Sequence, residues 1–133
     1  MRRVEWSARS SPDLVVQFTE AFNRNDLDGV MSFMAEDAVY DEFTGTINRG
    51  AAAIRAAFVP QFRGDHGKMR FNTEDLFVDD AAGKALIRWQ CTLETKRGPA
   101  AWRGLDIIHV VNGRITEKLT YAKAKVPLLG DIA

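Results

Sequence analysis

Four carboxylates crowd into residues 35–45, AEDAVYDEFTG: Glu36 and Asp37 come first, Asp41 and Glu42 last. Another acid, Asp106, stands among large apolar residues in the run WRGLDIIHVV. A carboxyl withdrawn from water loses the solvation that stabilises its charge, so its pKa rises unless a partner holds the charged form. Such a group serves near neutral pH as a hydrogen-bond donor or a general acid. The chemistry these residues suggest is proton transfer.

Side chains of a strand alternate between its two faces, so Asp41 and Glu42 cannot both point inward. One phase groups Ala38, Tyr40 and Glu42; the other groups Val39, Asp41 and Phe43. Val39 and Phe43 make the second phase more apolar, whereas Tyr40 with Glu42 suits the edge of an amphipathic pocket. Periodicity leaves both open. In the later run, Trp102, Gly104, Asp106, Ile108 and Val110 share one face, while Arg103, Leu105, Ile107, His109 and Val111 share the other. Asp106 either faces inward among Trp102, Ile108 and Val110, or lies exposed or caps a local backbone group while the opposite face forms an apolar interface.

The elements that must position these acids follow from pattern. Ser11, Pro12 and Asp13 read as a helix start, with a hydroxyl cap, a proline in the first turn and an acid at the positive dipole end. Leu14, Val15, Phe18, Ala21 and Phe22 then recur at helical spacing. Asp26 can cap a second short helix whose stripe is Leu27, Val30, Met31 and Met34. A strand follows over Ala38–Phe43, then a turn segment TGTINRG. A third helix lies in AAAIRAAFVPQF, with Ile54, Ala57, Phe58 and Phe62 on one side, and Pro60 should kink or end it.

From Met69 the period becomes alternating, and turn signals divide the remainder into four strands over about 69–79, 84–95, 100–111 and 114–124. Asn112-Gly113 is the clearest hairpin signal, because both central residues of a type I′ turn need positive φ. Helices followed by a meander of strands imply an α+β domain, with N-terminal helices covering one face of a curved, mainly antiparallel sheet. A hollow between the layers would be floored by alternate strand residues. The expected layout is an N-terminal extension over 1–10, one domain over 11–125 and a tail over 126–133.

Composition sets limits. The chain has 133 residues, 46% of them apolar, enough for one core and a small cavity. Eighteen basic residues balance eighteen acidic ones, which argues against a nucleic-acid partner, and Arg2, Arg3 and Arg9 are scattered. A lone cysteine cannot close an internal disulfide, and two distant histidines suggest no metal site. The opening residues MRRVEWSARSSPD lack the apolar stretch of a signal peptide, and no run nears the roughly 20 apolar residues of a membrane span. The expected location is the cytoplasm, with no membrane partner.

Individual residues have bland readings beside the functional ones. Phe18, Phe58 and Phe62 read first as core, and then as walls of the hollow. Trp89, Trp102 and Tyr121 combine bulk with a polar handle and suit a cavity lining. Cys91, on the buried face of its strand, reads as a small hydrophobe in that lining, since no histidine is expected beside it. His66 and His109 read as surface residues. Glu117 and Lys118 occupy opposite faces of the strand beside Asp106. Such a pair is usually solvated, but either member is a candidate partner for Asp106.

The stretch FNRNDLDGVMSFMAEDAVYDEFTGTINRGAAAIR resembles the opening of bacterial ketosteroid isomerases and the related SnoaL-like polyketide cyclases, within the nuclear-transport-factor-like superfamily. RGLDIIHVVNGRITEKLTYAK is similar to that family's last two strands. The resemblance implies a cystatin-like cone enclosing a hydrophobic pocket. It also implies acid/base chemistry without a cofactor on a small apolar carbonyl compound, as an isomerase, cyclase or dehydratase, and pairing into homodimers. By position, the isomerase general base falls on Glu42, or on Asp41 if the register slips by one, and the oxyanion-stabilising acid on Asp106. In that family this acid stays protonated in apolar surroundings and so can donate a hydrogen bond at neutral pH. The isomerase tyrosine of the first helix aligns with Phe18, which has no hydroxyl; losing one such donor costs about 10² to 10³ in rate. The alternative is a domain that binds a small hydrophobic ligand, or pairs with a second copy, without turnover.

Overall fold

The structure is a computed structural model and describes residues 11–124. The expected extension and tail, with Arg2, Arg3 and Arg9, lie outside the described residues. Helix α1 spans Ser11–Asn23 and buries Leu14, Val15, Phe18 and Ala21, the expected stripe. Asn25 takes a left-handed φ of 57°, a conformation asparagine tolerates, and turns the chain into α2, Leu27–Ser32. Asp26 caps α2 by accepting the Gly29 N–H at 2.9 Å, as its position in the sequence suggests.

Strand β1 spans Met34–Asp41, starting four residues before the expected Ala38 and stopping short of Phe43. Met34, expected on the stripe of α2, belongs to this strand because α2 ends after a turn and a half. A short strand β2, Ile47–Arg49, lies in the segment expected to be turn and pairs antiparallel with β1. Helix α3, Ala51–Arg63, buries Ile54 and Phe58. It runs through Pro60 rather than ending there, and stops at Gly64, whose φ of 88° suits a glycine cap. The carbonyl that Pro60 cannot bond belongs to Ala56, an exposed residue, so water can serve it.

Strands β3 (Lys68–Asp79), β4 (Lys84–Thr95), β5 (Gly98–Val111) and β6 (Arg114–Ala122) follow the expected boundaries closely. The β5–β6 turn holds Asn112 at φ 51° and Gly113 at φ 74°, as the Asn-Gly signal requires. The sheet order is β2-β1-β6-β5-β4-β3, with β1 parallel to β6 and every other pair antiparallel. This is the expected α+β architecture, with the helices against one face of the sheet. Asn23 ties α1 to the open edge of β3: its side chain donates to the Phe71 carbonyl at 2.9 Å and accepts the Phe71 N–H at 2.8 Å. Among the described helices none is long and apolar enough to cross a membrane.

An irregularity in β6 sets which side chains face the helices. Ile115 pairs with Val110 and Glu117 with His109, so β6 carries one more residue than β5 between these pairs. Such a bulge reverses the parity of everything after it. Ile115, Lys118 and Thr120 are all buried, and Tyr121 is left on the outer face at 57% exposure.

Gly104 is a tight point inside the sheet. A Cβ there would meet the Trp89 ring and the Tyr121 carbonyl, each at 2.5 Å. Gly104→Ala is expected to cost about 1–3 kcal/mol in a urea denaturation series, because the backbone carbonyl cannot move aside as a flexible side chain would.

Candidate functional site

A cavity of about 340 Å³ lies between the helices and the concave face of the sheet, within the size range of small-molecule sites. Its aromatic walls come from three layers: Phe18 and Phe22 on α1, Phe58 on α3, and Tyr40, Phe71, Trp89 and Trp102 on the strands. The rings meet edge-on or tilted; Phe71 and Trp89 have centroids 5.1 Å apart, and Trp89 and Trp102 5.4 Å apart. Phe43, just past β1, packs 4.9 Å from Trp102 and is 40% exposed, so this pair stands where the cavity opens.

A buried polar cluster forms the floor. Asp106 sits opposite Thr120 on β6 and beside Ile87 on β4. The Trp89 indole N–H donates to its Oδ2 at 3.0 Å, and the Lys118 ammonium donates to its Oδ1 at 2.8 Å. The Thr120 hydroxyl also donates to Oδ1. Lys118 donates once more, to Thr120 Oγ1 at 2.9 Å, and its ammonium lies 4.6 Å from the centre of the Tyr40 ring. No buried side-chain nitrogen or oxygen among the described residues lacks a partner. A charge pair removed from water persists only when such bonds satisfy it.

Asp106 therefore faces inward, but it meets polar partners there rather than only the apolar surroundings its sequence neighbours suggest. Three donors converge on the carboxyl, one of them a cation. The counter-charge comes from Lys118, which the bulge in β6 turns inward. Burial alone would lower the Lys118 pKa; the Asp106 carboxylate, with smaller contributions from Tyr40 and Glu42, outweighs it and holds the ammonium above the ordinary lysine value.

Glu42 lines the cavity just beyond the end of β1, and Asn48 on β2 donates to its Oε2 at 2.8 Å. Asp41 is not among the lining residues: it pairs with Leu119 and Ile47, and strand alternation sends it to the other face. Of the other expected lining residues, Phe18, Tyr40, Phe58, Trp89 and Trp102 reach the cavity, and three do not. Phe62 packs against Phe22 and Phe58 behind the wall. Cys91 is fully buried between its pairing partners Phe71 and Trp102, whose rings reach the cavity ahead of the short thiol. Tyr121 points to solvent because the bulge reverses its phase. Nothing in the sequence pattern marks Thr120 or Phe71 as lining residues, and it leaves Lys118 as one of two candidate partners. His66, expected at the surface in a loop, is exposed and also borders the cavity.

The family model described as SnoaL-like domain matches residues 15–118, which spans α1 to β6. Among solved structures, a putative polyketide cyclase from Xanthomonas campestris pv. campestris is 25% identical, covering 83% of this chain and 87% of that one with a TM-score of 0.71. An NTF2-like protein of unknown function from Mesorhizobium loti is 24% identical, covering 87% and 94% with a TM-score of 0.72. A protein of unknown function with a cystatin-like fold, from Methylobium petroleophilum PM1, is 18% identical, covering 92% and 80% with a TM-score of 0.71. No curated protein matches the chain significantly.

Two outcomes follow from the buried pair. Lys118→Met strands the Asp106 carboxylate and should cost about 3–5 kcal/mol in chemical denaturation, whereas the double substitution Lys118→Met with Asp106→Asn should recover much of that loss. Tyr40 is also raised, by burial first of all, with Lys118 opposing. Groups that hold a proton more tightly when folded stabilise fully below their unfolded values, here 10.0 for Tyr40 and 10.5 for Lys118, and lose that contribution as pH rises through the folded ones. Denaturation midpoints should fall above about pH 10 in the wild type and fall less steeply in the double variant.

Proposed function

The chain belongs to the SnoaL-like domain family, and from that premise we propose that its cavity carries out acid/base chemistry on a small, largely apolar carbonyl compound. The reaction would be an isomerisation, cyclisation or dehydration that passes through an enolate. Glu42 is the base: it removes a proton from the carbon next to the carbonyl, and Asn48 keeps its carboxylate oriented. Lys118 is the electrostatic partner, stabilising the negative charge that develops on the carbonyl oxygen. Asp106, Thr120 and Trp89 are positioning residues that fix this ammonium and keep it charged.

The observation that carries the reading is a fixed cation on the floor of an aromatic cavity whose rim bears a carboxylate. A preorganised charge in a dry site needs no reorganisation as the substrate oxygen becomes negative, and such groups supply a large share of catalysis. The same cation disfavours a positively charged ligand, although an aromatic enclosure alone would welcome one. Phe18 favours the competing reading, binding without turnover, since it offers no hydroxyl at a lining position.

Hydrogen–deuterium exchange at the carbon beside the carbonyl, followed by NMR across a panel of aryl ketones, separates the two. Wild type should accelerate exchange, and Glu42→Gln should lower the rate by about 10² to 10⁴ while the ketone still binds. Saturable binding of the panel with exchange no faster than in buffer would leave a binding domain and remove the catalytic assignment.

A further inference from the structure

A ligand oxygen that gains charge needs donors whose protons are not already committed. On the cavity floor the Trp89 N–H and the Thr120 O–H both go to Asp106. The Thr19 hydroxyl, also at the cavity, donates to the Val15 carbonyl at 2.9 Å. Lys118 has three N–H bonds, of which Asp106 and Thr120 take two. Phe18 has none to offer. Gln61 and His66 belong to the end of α3 and the loop after it, away from the strands that carry the ion pair.

Tyr40 remains. It is one of two tyrosines in the chain, and the other, Tyr121, points to solvent from the outer face. In the β1–β6 register Tyr40 stands directly beside Lys118. Its ring has two close neighbours: the Phe58 ring lies 5.0 Å away at a tilt of 36°, and the ammonium lies 4.6 Å from its centre. Thr120 lies beside the phenol, with its own proton given to Asp106 and its Oγ1 accepting from Lys118.

We propose that Tyr40 is a second oxygen-binding donor of this cavity, acting with Lys118 on one oxygen of a planar phenol, enol or carbonyl ligand. The proposal rests on the acid/base reading above and adds the donor that Phe18 does not supply. Burial, the largest effect, together with the Asp106 and Glu42 charges, holds the phenol above its ordinary pKa against the opposing pull of Lys118 and Thr120. At neutral pH its proton is in place to donate. Contact of the ring with Phe58 and the ammonium restricts it before a ligand arrives, so less entropy is lost when the hydroxyl engages one.

Binding of 2-naphthol, followed by fluorescence, tests this against naphthalene, which has the same rings and no oxygen. Tyr40→Phe keeps the ring and its packing and removes only the hydroxyl. The expected result is a loss of naphthol affinity of about tenfold or more, the size of one strong hydrogen bond, with naphthalene affinity and melting temperature unchanged. Equal losses for both ligands, or none for either, would overturn the proposal. A second measurement leaves the phenol intact: in a Tyr121→Phe background Tyr40 is the sole tyrosine, and its ¹³Cζ resonance should shift on addition of naphthol and not of naphthalene. An unmoved resonance with naphthol bound would count decisively against it. Failure of wild type to bind either compound removes the donor role and the cavity reading together. Tyr40-dependent naphthol binding without ketone exchange would sink the catalytic reading and leave the donor role standing.

Discussion

The contact between Lys118 and Asp106 governs this protein's interior. Two opposite charges sit 2.8 Å apart beneath a canopy of phenylalanine and tryptophan rings. Neither is tolerable there alone, because an unpaired buried ion costs several kcal/mol. Each neighbour of the pair has a task set by that constraint: Trp89 and Thr120 donate further hydrogen bonds to the Asp106 carboxyl, and Tyr40 lends its ring face to the ammonium. The pair turns an apolar hollow into one with a fixed direction of charge.

The architecture serves this pair through two departures from regularity. Gly104 has no side chain because the Trp89 ring crosses the space one would occupy, and that ring must lie there for its N–H to reach Asp106. The extra residue in β6 lets Ile115 and Lys118, three positions apart, both face the helices. Without it, strict alternation from Ile115 would put Glu117 on the floor, and two carboxylates would face each other. The bulge thus decides the sign of the charge on the cavity floor.

The rim follows a different logic. Glu42 lies past the last residue of β1, where the ladder has ended and a side chain can lean over the cavity, and Asn48 on the short return strand steadies it. A carboxyl at the rim and an ammonium on the floor share one hollow.

Much of this is legible in the residue order. Helical spacing in α1, the Asp26 cap, the Asn112-Gly113 turn and the long alternating runs of β4 and β5 are local signals, carried by neighbours in sequence. They suffice for the α+β class and the bounds of the four long strands, but not for β1 and β2, and they leave Asp106 with two possible faces. The features that escape a sequence reading are all non-local. Pro60 looks like a stop because its lost hydrogen bond counts heavily unless the carbonyl it abandons faces water, as that of Ala56 does. Tyr121 looks like a lining residue, and Lys118 like one of two candidates, because a bulge is a property of two strands in register and leaves no mark in either alone. Sequence by itself determined that an acid would lie among apolar neighbours; only the tertiary structure decided what meets its carboxyl, since the ammonium that does so arrives from another strand, one parity step out of phase.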